Sequence, residues 1–396
     1  MPGATARSLT LLAAMLAFPS ALLADDPTSL AERLEAAPRV GGDDRYIEFS
    51  PFVQFDGGWA SSSPDDAIAE ADRRNGQVRR GRLYTDFAYD SFGGRFTIDF
   101  EALKTTPITY AYLSYSLTDT LTVQGGQQTV PFSLQQIMGS RSATFAEDGL
   151  NSSLQLSDSV GFAALSNGER WSVQSGVFGG DINRQPFDDG ITAVSRGTWA
   201  PYLNDGDVLH FGLGLAAGFD RQESLSFSGG VGSDLVDVSP ISTGSFEQSS
   251  DLAAVNAELA ATSGRLTWQS EYTVNRINSA DRDAVVLHGG YMSVLAFLTD
   301  DHRDYDAQSG AFEQVKPERS IWDRGFGAFE VGARLGYLDF TDDPSGGAQL
   351  AATAVVNWYP TDVLRFTATH AHTRITDGPD EGQRFDATLL RAAIIY

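Results

Sequence analysis

Apolar and polar side chains alternate along most of the chain after residue 45, and a clear example runs from Phe326 to Phe340. From Phe329 to Tyr337 every second position is apolar, and the positions between are charged or glycine. The apolar set is Phe329, Val331, Ala333, Leu335 and Tyr337, and the other set is Glu330, Gly332, Arg334 and Gly336. Because successive side chains of a strand point to opposite faces, this pattern predicts a strand with one apolar face.

The same alternation recurs in about sixteen segments, among them 108–118, 250–262, 265–277 and 384–396. Many of these segments have about nine residues or more, whereas strands of globular proteins average about five or six. Longer strands suit a tilted crossing of a membrane, and bacterial barrels require an even number of strands. We therefore predict an all-β protein, a transmembrane antiparallel β-barrel of about sixteen strands.

The connections between the predicted strands alternate between short and long. A short turn is expected at Gly93–Gly94, and the long connections fall mostly at 60–79, 128–156 and 220–249. This alternation is typical of barrels with short periplasmic turns and long outer loops. The connection 300–325 is an exception, because it is long on the side where turns should be short. The alternation alone would also fit a β-sandwich or a β-solenoid, although the lack of a fixed repeat weakens the solenoid.

The first residues have the pattern of a secretory signal peptide, with Arg7 ahead of the apolar run Leu9–Leu23 and the small residue Ala24 after it. Ser29 and Glu32 then have the spacing of a capping box and predict a short helix. We expect three parts: a signal peptide at 1–24, cleaved after Ala24, a short periplasmic segment at 25–44 and the barrel at 45–396.

Composition narrows the possible chemistry. The 396 residues include no cysteine, which excludes disulfides, metal–thiolate sites and a lipoprotein anchor, and the formal net charge of −24 argues against nucleic-acid binding. The acidic stretch Thr299–Asp306 lacks the glycine and distal glutamate of a calcium loop, so we interpret it as a solvated charge run. His370 and His372 have no evident third metal ligand, and we assign them to the lipid interface. No cofactor, metal site or Ser–His–acid arrangement is predicted.

Several short motifs, in a preserved order, resemble the phosphate-selective porin O/P family over most of the chain from about Tyr46. They are Arg79–Leu83, Tyr112–Tyr115, Pro131–Leu134 and Asn357–Tyr359, together with short motifs within residues 298–340. The resemblance implies a sixteen-stranded trimeric barrel whose third and fifth outer loops and one long periplasmic turn fold inward. It would place 128–156 and 220–249 in the pore and would account for the long connection 300–325.

The chain also departs from the family pattern. Gln128–Val130 stand where the family has a basic–acidic pair, and Lys104 and Lys316 are the two lysines of the sequence. Phosphate selection in the family depends on lysines as well as arginines, so we do not carry phosphate specificity over. Lys316 and Arg334 match the family motifs.

The expected function is passive diffusion of small hydrophilic solutes or inorganic ions across the bacterial outer membrane, by a homotrimer in contact with outer-membrane lipid. A barrel hydrolase and a structural or adhesive barrel remain alternatives, and strand number and the placement of 128–156 distinguish them. Alternation and loop position select the expected pore-lining and constriction residues, which are Arg80, Arg82, Gln135, Gln136, Arg141, Arg265, Arg303, Lys316, Glu330 and Arg334.

Overall fold

The computed structural model describes residues 37–64, 74–184, 190–221, 225–236, 238–246, 250–279 and 282–396. The expected signal peptide, its cleavage after Ala24 and the helix expected from Ser29 lie outside the described residues. Sixteen long strands pair in an antiparallel ring, each with its neighbours in the sequence, and the last strand pairs with the first. Closure of the ring gives every wall strand two partners, as a membrane-spanning sheet requires.

The wall strands have 8 to 19 residues. They are β1 (Arg45–Ser63), β2 (Arg74–Tyr89), β3 (Phe92–Asp99), β4 (Ile108–Thr118), β5 (Leu121–Gln128), β6 (Ser159–Gly168), β7 (Trp171–Phe178), β8 (Ile191–Asn204), β9 (Asp207–Arg221), β10 (Ser250–Ser263), β11 (Leu266–Asn278), β12 (Val285–Phe297), β13 (Ala328–Asp339), β14 (Ala348–Thr361), β15 (Leu364–Asp377) and β16 (Arg384–Ile395). A short strand, Arg39–Gly41, pairs with the start of β1.

Side chains along each wall strand alternate between the outside and the lumen. On β9, Leu213 and Leu215 are exposed on the outer face, while Val208 and His210 on the inner face are buried. The predicted barrel of about sixteen strands is therefore confirmed, with its apolar faces outward. Among the described residues, no helix combines the length and the apolar character that crossing a membrane requires.

Two details of the predicted connections are wrong. β1 extends to Ser63 and β2 begins at Arg74, so the loop expected at 60–79 is shorter. The first short turn lies at residues 90 and 91, where Asp90 has φ 54°, and Gly93 and Gly94 lie within β3. A Cβ on Gly94 would lie 2.6 Å from the Phe87 ring and from the Tyr112 carbonyl oxygen. The glycine therefore serves close strand packing and not a turn.

The described parts of three connections fold into the barrel, as the family resemblance implies. We call them L3 (129–158), L5 (222–249) and T6 (298–327). L3 contains the helix α1 (Leu134–Ser142), kinked at Gly139, and the 3₁₀ helix Leu150–Leu154. The described parts of L5 and T6 each contain one pair of two-residue strands, Ser228–Gly229 with Ile241–Ser242 and Tyr305–Asp306 with Ala311–Phe312. L5 and T6 bury Phe246 and Phe312 against the inner wall, so much of the lumen is filled.

Candidate pore and constriction

Three water-accessible cavities border both L3 and the wall strand β2. Their volumes are about 730, 610 and 600 Å³, and we call them cavities 1, 2 and 3. Cavity 1 is lined by the loop at 100–107 and by residues 179–184, cavity 2 by α1 and β4, and cavity 3 by L5. Arg80 lines all three cavities. The residue on which the three cavities converge marks the candidate constriction.

A bulge in β2 brings Arg80 and its neighbour Arg79 to the lumen together. Gln54 of β1 faces Arg80, whereas the next β1 residue, Phe55, faces Val78, so Arg79 is an extra residue without a partner on β1. Arg80 Nη1 donates a 2.8 Å hydrogen bond to Gln54 Oε1. In the part of the chain that the structure describes, no carboxylate lies within ion-pair distance of Arg80. Its charge is therefore available to a permeating ion.

The next arginines along this wall are paired with carboxylates on the adjacent strand. Arg82 Nε lies 2.7 Å from Asp99 Oδ2, and Arg95 Nε lies 2.6 Å from Asp86 Oδ1. The register of β2 and β3 places both pairs directly opposite each other, on the lumen face. Much of the positive charge of these two arginines is therefore neutralised within the wall.

L3 contributes carboxyl groups across from these arginines. Asp148 lines cavities 2 and 3, and Asp158 lines cavities 1 and 2. Burial raises the pKa of Asp158 to about 6, although Thr129 and Arg82 oppose the shift. The lumen at the constriction thus has arginines on the β2 side and carboxyl groups on the L3 side, an arrangement that creates a field across the pore.

A cluster of charges joins L3, L5 and the wall beside cavity 3. Glu147 of L3 lies 3.1 Å from Arg391 and 3.8 Å from Arg79, and Arg79 also pairs with Asp234 of L5. Burial and the nearby Asp234 carboxylate raise the pKa of Glu147 to about 7, while the two arginines oppose this shift. Arg391 is itself held by Asp56 at 2.7 Å. Glu147 therefore titrates close to neutral pH at the edge of a cavity.

Polar wall residues fix the position of L3. Arg334 Nη2 donates to the carbonyl oxygens of Glu147 at 2.9 Å and Asp148 at 3.0 Å. The Glu271 carboxylate accepts hydrogen bonds from the backbone N–H groups of Leu134 at 3.1 Å and Gln135 at 2.9 Å. These N–H groups belong to the first turn of α1, where a negative charge is favourable. The wall thereby holds both ends of the segment that narrows the lumen.

T6 is attached to the wall by charged residues that the sequence analysis expected to line the pore or to face solvent. Arg303 makes two 2.9 Å hydrogen bonds to the Glu330 carboxylate, and both side chains are almost completely buried. Asn357 and Tyr359 each donate to the same carboxylate at 3.0 Å. Asp301 is buried as well and accepts from the Glu318 backbone at 2.7 Å. The interpretation of Thr299–Asp306 as a solvated charge run is therefore wrong for Asp301 and Arg303.

The structure divides the ten expected site residues into three groups. The residues that line cavities 1 to 3 are Arg80, Arg82, Gln135, Gln136 and Arg141. The residues that connect the wall to T6 or L3 are Arg303, Glu330 and Arg334. The residues away from cavities 1 to 3 are Arg265, in the turn before β11 and paired with Asp300, and Lys316, which is exposed on T6.

Sequence reasoning missed the carboxyl groups of Glu147, Asp158 and Asp234, because alternation carries no information about loops. Arg391 was also missed, although it lies at a lumen-facing position of β16 and could have been identified from the alternation of that strand. His370 and His372 are exposed on the outer face of β15. Within the described ranges, no group of three His, Asp or Glu side chains is arranged to hold a metal ion.

Comparison with known proteins places the chain in a family. The family model described as "Phosphate-selective porin O and P" matches residues 67–396. Porin O of Pseudomonas aeruginosa is 26% identical over 252 residues, which are 54% of this chain and 56% of that protein. An uncharacterized protein of Caulobacter vibrioides is 39% identical over 79 residues, 20% of this chain and 16% of that protein. The match thus spans about half the length of Porin O and less of the second relative.

Solved structures with a similar fold include outer-membrane proteins. OmpT of Vibrio cholerae has a TM-score of 0.58 at 10% identity, with coverage of 91% of this chain and 100% of that chain. An anion-selective porin from Comamonas acidovorans has a TM-score of 0.55 at 9% identity, with coverage of 88% and 99%. At this identity the likeness concerns the fold alone. The chain belongs to the phosphate-selective porin O and P family and has the closed sixteen-stranded barrel of a bacterial outer-membrane porin.

Proposed function

We propose that the chain is a passive diffusion channel for small hydrophilic solutes and inorganic ions, with its constriction between Arg80 of β2 and L3. The observation that carries the proposal is the convergence of three water-accessible cavities on Arg80. Sixteen strands favour a channel over the alternative of a barrel hydrolase, since such enzyme barrels have fewer strands. The inward position of L3 favours a channel over an adhesive barrel, whose loops would extend outward to a partner.

We further propose that the channel is weakly selective for anions and does not bind phosphate specifically. No described carboxylate lies within ion-pair distance of Arg80, whereas Arg82 and Arg95 are paired with carboxylates. The carboxyl groups of Asp148 and Asp158 on the L3 side also attract cations. Two charges about 4 Å apart interact by roughly 4 kcal/mol at an effective dielectric constant near 20, so one arginine is enough to favour anions, and the nearby carboxyl groups of L3 reduce this preference.

A homotrimer is the proposed assembly, because the family resemblance implies one. One solved structure of Vibrio cholerae OmpT, which has a TM-score of 0.58 at 10% identity to this chain, is of a trimer form. Migration of the purified protein on native gels before and after heating tests this proposal. A single band at monomer size before heating would contradict it.

The test of channel function is a bilayer recording with the purified protein in a KCl gradient. We expect stable channels, a small reversal potential of the sign of anion preference and little block of the chloride current by added phosphate. Absence of channels from a correctly folded barrel would refute the channel. Strong anion preference with saturable phosphate block would refute weak selectivity while leaving the channel intact.

A further inference from the structure

The outer face of the barrel is apolar along some strands and partly polar along others. On β9 the exposed outward residues are apolar along the strand, among them Phe211, Leu213, Leu215 and Phe219. On β15 and β16 the half near the turn at 362–363 is apolar, but the half near the connection 378–383 is polar. This connection lies at the same end of the barrel as L3 and L5, which is the outer side of a porin.

The register of β15 and β16 places two arginines directly opposite each other in this polar sector. Arg374 of β15 faces Arg384 of β16, and both side chains are exposed on the outer face. Like charges directly opposite on neighbouring strands are destabilising. Among the described residues, no carboxylate lies within ion-pair distance of either arginine. Within that part of the chain, the pair presents two guanidinium groups side by side without an ion-pair partner.

Below the arginine pair, the surface passes from polar to apolar within a few rows. In the next row His372 Nδ1 lies 2.8 Å from Asp386 Oδ1, and in the row after it His370 Nδ1 lies 2.9 Å from Thr388 Oγ1. The rows beyond are apolar and pair Ala368 with Leu390 and Phe366 with Ala392. The outer face thus has a cationic group, then hydrogen-bonding groups, then hydrocarbon, in the order in which a lipid has its headgroup and chains.

We propose that Arg374 and Arg384 together bind the anionic, phosphorylated headgroup of an outer-leaflet lipid, whose chains cover the apolar rows of β15 and β16. A guanidinium group presents paired N–H donors in the geometry of phosphate oxygens, and two such groups side by side can hold one anion from both sides. Basic clusters at the membrane surface recognise anionic lipid headgroups in this way. The anion would also relieve the repulsion between the two arginines.

The test measures lipid retention by the purified full-length barrel in detergent, by native mass spectrometry. The probes are phosphorylated lipopolysaccharide, the same lipopolysaccharide after dephosphorylation, and phosphatidylcholine. The variant is Arg374→Gln combined with Arg384→Gln. The matched control is Arg276→Gln, because Arg276 is an exposed outward arginine near the same end of β11, between Ala253 and Val286. Heat-dependent gel migration checks that each variant forms a folded barrel.

We expect retention of phosphorylated lipopolysaccharide to fall roughly 25-fold in the double variant, because each arginine near an anionic surface contributes about fivefold. The Arg276 control should retain wild-type binding, and dephosphorylated lipopolysaccharide and phosphatidylcholine should bind weakly to all forms. Equal retention of phosphorylated and dephosphorylated lipid would overturn the proposal. Displacement of the lipid by millimolar inorganic phosphate would also overturn it. Loss of oligomers in the double variant with unchanged lipid binding would overturn it too, because that result would assign the patch to contact with a second copy of the chain.

Discussion

At the scale of single residues, the environment of each arginine decides its role more than its position in the alternating pattern does. Arg80, Arg303 and Arg334 all lie on the lumen side and were all expected to line the pore. Among the described residues, Arg80 hydrogen-bonds only to an amide oxygen, and it borders water. Arg303 is instead buried against Glu330, and Arg334 donates to backbone carbonyls of L3. We therefore expect only the first of these charges to act on a permeating ion.

Replacement of Arg80 by glutamine should lower the ratio of anion to cation permeability by roughly threefold to tenfold. A unit charge about 8 Å from the ion path interacts by roughly 2 kcal/mol at an effective dielectric constant near 20, and salt screens part of this. Reversal potentials in a KCl gradient measure the change. The control is Arg265→Gln, since Arg265 lies in a turn and should leave selectivity as it is. An equal effect of both variants on selectivity would show that the constriction does not lie at Arg80.

The acids of L3 should make selectivity depend on pH. The pKa of Glu147 is raised to about 7 and that of Asp158 to about 6, chiefly by burial, so both lose their negative charge as the pH falls from 8 to 5. Anion preference should therefore rise over this interval. Because folding raises both pKa values, protonation also stabilises the folded loop below roughly pH 4, and this contribution disappears as the pH rises through the two raised values.

Reversal potentials recorded at several pH values test the effect of these acids. The double variant Glu147→Gln with Asp158→Asn should show high anion preference at every pH. If the wild-type response persists in that variant, other groups of the lumen titrate instead.

At the scale of elements, buried ion pairs attach the inserted segments to the wall. Removal of one partner leaves a buried charge unpaired, which costs about 3–5 kcal/mol, whereas replacement of both partners by apolar residues is often nearly neutral. Arg303→Met should therefore destabilise the barrel by about that amount, and addition of Glu330→Met should recover most of the loss. Urea unfolding in detergent measures both effects.

The matched control for this cycle is the exposed pair Arg265–Asp300, where Arg265→Met should cost less than about 1 kcal/mol. Additive effects of the two substitutions at 303 and 330 would mean that the pair does not hold T6 to the wall.

L3 should act as the element that restricts conduction. Deletion of residues 135–147 removes all of α1 except Leu134 and much of the surface facing cavity 2, so single-channel conductance should increase. The wall strands keep all their strand partners, and the barrel should still assemble. A deletion of 379–382 in the connection between β15 and β16 is the control and should change conductance little. Equal conductance of the L3 deletion and the wild type would place the constriction elsewhere.

At the scale of the whole molecule, the net charge of −24 and the arginine at the constriction act over different distances. The screening length is about 3 Å in 1 M salt and about 30 Å in 0.01 M salt. At high salt an ion responds mainly to charges at the narrowest point, and at low salt it also responds to the acidic surface. We therefore expect anion preference to weaken, or to reverse toward cations, as KCl is diluted. Reversal potentials at a fixed concentration ratio and decreasing mean KCl concentration measure this shift. A constant anion preference would show that the acidic surface does not act on ions entering the pore.

The sequence by itself determined the barrel. Alternation is a local property of each strand, and the membrane imposes it on every strand alike, since lipid outside and water or protein inside require opposite side chains at successive positions. The pattern therefore predicted the number of strands and most of the connections. It also predicted the outward-facing residues of β13, which are Phe329, Val331, Ala333, Leu335 and Tyr337. The family resemblance added that 128–156, 220–249 and 300–325 fold inward.

Only the tertiary structure decided which charges face water and which are bound to one another. Arg391 and Asp56 are 335 positions apart in the sequence, and Arg334 and the Glu147 carbonyl are 187 apart, so no local pattern could pair them. A lumen-facing position is equally compatible with a free arginine such as Arg80 and a paired one such as Arg303. The difference lies in the burial and the partners that closure of the ring and insertion of L3, L5 and T6 bring together.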